Sequence, residues 1–385
     1  MEVEAVMIRY PHLNLTDWPF RVVPDVSFYA FMADRKWLIQ DIRVLLRNLS
    51  RRPTSSMHLM WAWFGAGKTH TLHHIEHLCK SEFDSITPIY VEFPRSAKNF
   101  LDVYRSFISR IPIEVINNAY LEVFTSPEKE RFQKDLQFDF QDLSNALMLL
   151  YGGKEQQRQD VLRWLRAELT DKAAIKNIGI LRPIKTAEDA LRVITWIINL
   201  INLGGQYSVN SQNRVLWMMD EFQRITHCRP QVKEDISSCL TATFNRCPNA
   251  LSIIISFSGL PEQDKLPAWI SPELRDRIGI EKVLLLPPLT TDDTMEFIKD
   301  VLTFFRADKE LNGNVYFPFS EEAVRAIIQI INNKSQLKPR SIMQFFNAIL
   351  EEAEMQIEQK HISIITADFA EDVLKDRVFI DDDDT

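Results

Sequence analysis

The sequence predicts an α/β fold: a three-layer core on a mostly parallel sheet, interrupted by a long helical insertion and followed by an all-α portion. Three observations predict it. Short apolar runs with almost no polar interruption recur at 57–63 (MHLMWAW), 89–93 (IYVEF), 214–219 (RVLWMM) and 251–257 (LSIIISF), which is what a parallel strand buried on both faces requires. Helical patterns alternate with these strands. After Pro287 and Pro288 the strand signals stop and only helical patterns follow.

Taken in order, an N-terminal segment 1–56, with 18–24 (WPFRVVP) and 31–46, precedes the first strand. The strand at 57–63 enters a glycine-containing turn, and 69–80 continues as a helix, giving strand, loop and helix in succession. The second strand, 89–93, is followed by a region, 96–206, with helical periodicity, for example 161–169 (VLRWLRAEL) and 187–203. The third and fourth strands complete a core spanning 57–288. Helices at 291–305, 320–331, 339–359 and 366–375 then make a lid over 289–378. The remaining 379–385, with the run Asp381 to Asp384, reads as a solvated, disordered acidic tail. No internal repeat or other low-complexity stretch is present.

Composition narrows the function classes. Of 385 residues, 45% are hydrophobic and 25% charged, enough apolar content for a large core. The net charge of −8 argues against coating nucleic acid by bulk electrostatics, which needs Lys and Arg in excess. No segment offers the long uncharged run of a membrane span, and Cys79, Cys228, Cys239 and Cys247 show neither a CxxC pair nor zinc-like spacing. A cytoplasmic protein that uses no membrane is the expectation.

Residues 62–69 (AWFGAGKT) match the phosphate-binding pattern GxxxxGK[ST], with Ala62 in place of the first glycine. Gly65 and Gly67 permit backbone angles at which successive N–H groups face inward and cradle phosphate oxygens. The helix that follows adds its positive end. The candidate nucleotide ligands are Gly65, Ala66, Gly67, Lys68, Thr69 and His70. Lys68 suits the β- and γ-phosphates, and the Thr69 hydroxyl suits magnesium. The third strand delivers Asp220 and Glu221 to the carboxyl edge of the sheet, where ligands bind in such folds. Asp220 is the candidate to hold Mg2+ through its water shell, and Glu221 to polarise the water that attacks the γ-phosphate of ATP.

Those two motifs and the helical lid resemble the AAA+ ATPases, and further residues follow that family's order over roughly 18–378. The resemblance implies a polar residue at the end of the fourth strand that helps place the attacking water, and Ser256 or Ser258 occupies that place. Residues 272–280 (PELRDRIGI) look like the stretch carrying the arginine finger of a neighbouring subunit; Arg277 is the leading candidate and Arg275 the second. In 337–341 (LKPRS), Arg340 matches the lid arginine that contacts the γ-phosphate. Residues 18–24 and 31–46 resemble the N-terminal linker and first helix of the initiator-like branch, which pack around the adenine. That branch includes Orc/Cdc6-type proteins and regulators of Tn7-like transposition, and the region near 164–168 (WLRAE) is similar to ATPases of bacterial anti-phage systems.

Other signals carry less. His70, His73, His74 and His77 share a helix at metal-compatible spacing, but that helix must pack on the sheet. Trp61 and Trp63 flank the first strand and read as core. Lys154, Arg158, Arg163, Arg166, Lys172 and Lys176 give the insertion a modestly basic helical face, which is a candidate nucleic-acid surface or simply a solvated one. The resemblance therefore implies an ATPase that forms a homo-oligomeric ring or arc. Its partners would be DNA, RNA or a nucleic-acid-bound effector protein, in transposition, replication or antiviral defence. The rival readings are a nucleotide-gated scaffold that recruits a partner protein, and a small-molecule kinase, which needs neither the lid nor the distant arginine.

Overall fold

The computed structural model describes residues 8–23, 26–52, 54–207, 213–259, 266–267, 270–279, 282–308, 313–359, 361–375 and 377. The acidic tail, Pro24, Ile280 and Val378 lie outside the described residues. The elements run α1 (Lys36–Arg51), β1 (Ser56–Ala62), α2 (Lys68–Glu82), β2 (Ile86–Glu92), α3 (Phe100–Ile108), α4 (Ile113–Thr125), α5 (Lys129–Gly152), α6 (Glu155–Leu165), α7 (Lys172–Asn177) and α8 (Ala187–Gly204). They continue with β3 (Arg214–Asp220), α9 (Pro230–Arg246), β4 (Leu251–Ser258), α10 (Pro272–Ile278), β5 (Val283–Leu285), α11 (Thr291–Phe305), α12 (Glu321–Lys334), α13 (Pro339–Glu358) and α14 (Ala367–Lys375). The five strands form one parallel sheet in the order β2-β3-β4-β1-β5. The chain therefore adopts the expected α/β class, with its helical insertion and C-terminal helices.

Two expectations are corrected. A fifth strand, β5, pairs in parallel with β1, Leu59 opposite Val283, where only four strands were expected. The helix expected over 161–169 stops at Leu165, so the basic residues of the insertion do not share one helix. Arg158 and Arg163 belong to α6, Lys172 and Lys176 to α7, and Lys154 and Arg166 are cap residues of α6.

The chain divides into two compact units, one of residues 1–41, 62–74 and 286–385, the other of 42–61 and 75–285. In the second unit the odd-numbered strand residues Met57, Leu59, Ile89, Val91, Val215, Trp217, Leu251 and Ile253 share one apolar cluster with Phe100, Tyr104 and Phe107 of α3 and Ile194, Ile197 and Ile201 of α8. The even-numbered Met60, Leu216, Met218 and Ile254 are buried too. That double burial is why the runs read as continuous rather than alternating. Register sets Glu92 opposite Asp220 and Met219 opposite Ile255. Tyr90, Asp220 and Ser256 thus occupy the same, even-numbered face near the carboxyl edge.

In the other unit, the core gathers Ile298, Val301 and Phe305 of α11, Ile327 and Ile331 of α12, Phe346 and Ile349 of α13 and Leu374 of α14 around Leu13, Leu15 and Phe20 of the N-terminal segment. Phe20 lies between Phe319 and Phe346, ring centroids 6.0 and 5.3 Å away. The Thr16 N–H donates to the Phe305 carbonyl at 2.8 Å and the Trp18 indole to Asn347 at 2.6 Å. Among the described residues no helix is long and apolar enough to cross a membrane.

Candidate nucleotide site

The glycine loop follows directly from β1, whose last residue, Ala62, is fully buried. Gly65 and Gly67 have φ of +73° and +92°, angles that residues with a Cβ resist. Most of the loop's carbonyls are taken by donors. Lys68 Nζ donates to Trp63 at 2.9 Å and to Ala62 at 3.4 Å, and the Arg340 N–H donates to Gly65 at 3.2 Å. Arg35 donates to Ala66 at 3.0 Å, and the Thr71 N–H and hydroxyl both donate to Gly67 at 2.9 Å. A trans peptide aims its N–H opposite its carbonyl, so the bond from Arg35 to the Ala66 carbonyl sets the direction of the Gly67 N–H, while the Ala66 N–H donates to the Trp63 carbonyl at 3.3 Å. The donor set fits a phosphate chain, with the ammonium of Lys68 buried and held within the loop.

The start of α13 lies along the same loop. A Cβ placed on Gly65 would stand 3.1 Å from Arg340 Cβ, and one on Gly67 would stand 3.9 Å from Pro339 Cγ. Lys338, 3% exposed, holds its ammonium 5.5 Å from the ring centroid of Trp63. Trp63 is thus half-buried beneath a lysine, while Trp61 is core as expected. The His70 ring packs on the N-terminal segment: Nε2 lies 2.8 Å from the Phe31 carbonyl, and burial lowers its pKa. His74 Nδ1 lies 3.0 Å from the Tyr29 carbonyl, and His73 stacks on Tyr29 at 4.2 Å. These contacts account for His70, His73 and His74 as packing residues.

The carboxylates belong to the sheet unit. Asp220, 1% exposed, ends β3 and accepts from Ser256 Oγ at 2.7 Å and from Tyr90 Oη at 3.1 Å. Burial first, then the nearby charge of Asp220, pushes the Tyr90 phenol well above its ordinary pKa, so it remains a donor throughout the neutral range. Glu221 follows in the left-handed region, φ 57° and ψ 32°. Its N–H donates to Asp220 Oδ1 at 2.9 Å. Non-glycine residues held in that region concentrate at functional sites. The Glu221 carboxylate accepts from the Gln223 amide at 2.8 Å and lies 3.5 Å from Arg224. Arg224 also donates to Glu92 at 3.2 Å and to the Phe93 carbonyl at 2.8 Å.

Of the two serines, Ser256 meets Asp220. The Ser258 hydroxyl is buried with no hydrogen-bond partner among the described residues, and its N–H donates to Gln223 Oε1 at 3.1 Å. The two arginines of α10 also separate. Arg275 donates from Nε to the Ile270 carbonyl at 2.9 Å and from Nη2 to Pro267 at 3.3 Å. Arg277 is exposed. Tyr90, Gln223 and Arg35 had not been singled out from the sequence. Tyr90 could have been found as a polar tip in the run IYVEF, two residues before the strand ends.

No protein-family model matches the chain, and no curated protein matches it in sequence. Solved structures do resemble it in the course of the chain. One is the Aeropyrum pernix ORC1 protein in complex with DNA, 13% identical, matched over 92% of this chain and 68% of that one at a TM-score of 0.49. Another is Drosophila ORC bound to DNA, 10% identical, over 97% and 66% at 0.48. A third is domain III of the Thermotoga maritima replication initiation protein DnaA, 13% identical, over 92% and 98% at 0.41.

Proposed function

We propose that the chain is an ATPase of the AAA+ type that binds ATP with Mg2+, hydrolyses it, and assembles into a ring or arc acting on nucleic acid or a nucleic-acid-bound partner. The observation that carries the reading is the group at the end of β3. A buried Asp220, braced by two hydroxyls, is followed by Glu221 in a conformation that only a fully determined environment maintains.

In this reading Lys68 exchanges its loop carbonyls for the β- and γ-phosphates, and the amides of 65–69 hold the remaining oxygens. Thr69 and Asp220 are the residues to hold Mg2+, Asp220 through water, with Ser256 and Tyr90 fixing its orientation. When bound, the ion would neutralise charge on the β- and γ-phosphate oxygens. Glu221 takes the proton of the attacking water and is oriented by Gln223. The family resemblance adds the assembly. Arg277 is the better candidate to reach a neighbour's site, because the fork of Arg275 already serves two carbonyls of its own segment. Arg340 suits contact with the γ-phosphate, since its backbone already touches Gly65.

The test measures ATP hydrolysis and particle mass together, for wild type and Glu221→Gln, with and without DNA and RNA. An ATP-dependent oligomer trapped by Glu221→Gln, with hydrolysis abolished and wild-type turnover raised by nucleic acid, supports the reading. A monomer with ATP bound and turnover indifferent to Glu221→Gln returns the chain to a nucleotide-gated scaffold.

A further inference from the structure

Arginine is rarely buried, because its charge must leave water and its donors still need acceptors. Arg35 is 6% exposed, and its two terminal amino groups donate to the Ala66 and Pro287 carbonyls, both at 3.0 Å. Burial draws its pKa down to about 10, while Asp34 and Asp293 oppose the fall, so the guanidinium is charged at neutral pH. The backbone that presents it is unusual. Asp34 and Arg35 are successive non-glycine residues with φ of 51° and 50°, a region L-residues avoid. The turn is held where the Asp34 N–H donates to Asp300 at 3.0 Å and where the Arg35 carbonyl accepts the first bonds of α1, from Leu38 and Ile39.

The acceptor is informative. Ala66 sits between two glycines of positive φ, so the peptide joining Ala66 to Gly67 belongs to the most rotatable stretch of the loop. Turned the other way, that peptide would present a carbonyl oxygen where an anion must sit. We infer that Arg35 is a positioning residue for a nucleoside di- or triphosphate: by holding the Ala66 carbonyl, it aims the Gly67 N–H at the phosphate chain. The inference rests on the nucleotide reading of the loop and extends it. A residue of the N-terminal segment, outside the glycine motif, sets the geometry of the cradle. Lysine cannot replace it fully, since one compact ammonium does not span two carbonyls as a planar fork does.

The experiment compares full-length wild type, Arg35→Ala, Arg35→Lys and Lys68→Ala by titration with fluorescently labelled ADP, steady-state ATP hydrolysis and thermal melting without nucleotide. The expected result is an ADP Kd raised about tenfold in Arg35→Ala. KM should rise in step while kcat falls far less, because the cradle holds the phosphates in ground and transition states alike. Arg35→Lys should fall between the two. A lowered melting temperature with Kd and KM unchanged makes Arg35 a structural clamp and overturns the inference. If Arg35→Ala does not fold, Arg35→Lys decides, and a wild-type Kd in that variant overturns it equally. Failure of the underlying reading shows separately: wild type then binds no nucleotide, or Lys68→Ala binds as well as wild type, and the inference falls with it.

Discussion

At the scale of single residues, the sheet edge shows how burial turns ordinary side chains into specialised ones. Asp220 is 1% exposed, and Ser256 and Tyr90 donate to it; a hydrogen bond to a carboxylate is worth roughly 1.5–3 kcal/mol. Ser256→Ala should therefore lower kcat about tenfold or more with ATP affinity largely kept, and should raise the Mg2+ concentration needed for half-maximal activity; a magnesium titration of turnover checks this. His58 on β1 makes a prediction unrelated to catalysis. Burial, with the charge of Lys282 adding, pushes its pKa from 6.5 down to about 4. Between those values the unfolded chain binds a proton that the folded chain refuses, so stability falls as pH drops through that window. The loss from His58 is about 2–3 kcal/mol at pH 4.5. Urea unfolding at pH 7 and pH 4.5 should show a smaller drop for His58→Gln than for wild type.

At the scale of elements, α6 shows both what the sequence reveals and what it hides. Residues 161–169 (VLRWLRAEL) carry helical periodicity without a break, yet the helix ends at Leu165. The Ala167 N–H donates to Trp164 at 2.8 Å and the Glu168 N–H to Arg163 at 2.8 Å, with Ala167 at φ 55°. That is a Schellman ending with alanine where glycine is usual, so no stop signal was legible. Alanine-to-glycine changes inside helices cost about 1 kcal/mol. Ala167→Gly should instead be neutral or stabilising by up to about 1 kcal/mol, since it relieves a left-handed alanine, and chemical denaturation measures it. The strand β5 was missed for a different reason: three residues are too few to show a period. The motif elements were legible because their signals are local, as in the glycine loop and the Asp220–Glu221 pair. Of the bracing groups, Tyr90 left only the trace of a polar tip in an apolar run, and Gln223 and Arg35 left none, because each acts across β-strand register, a side-chain bridge or a turn that only the folded chain brings together.

At the scale of the whole molecule, the proposal is that one chain is not a complete enzyme. Arg277 lies in the last turn of α10, a helix capped where Ser271 accepts from the Leu274 N–H; both arginines are exposed, but Arg275 is committed to its own backbone. If Arg277 acts on a neighbour, the residue and the site it completes reside on different subunits, and two inactive variants can repair each other. Arg277→Ala keeps an intact phosphate loop and lacks the finger, whereas Lys68→Ala lacks a working loop and keeps the finger. Mixed in equal amounts and allowed to exchange, they pair a good site with a good arginine at about one interface in four, so the mixture should reach about a quarter of wild-type turnover while each alone stays near background. An arginine serving its own subunit gives no such recovery, because no mixed interface then holds both parts in one chain. A variant Arg277→Ala with full turnover when tested alone would remove the residue from the reaction and leave α10 as a surface helix.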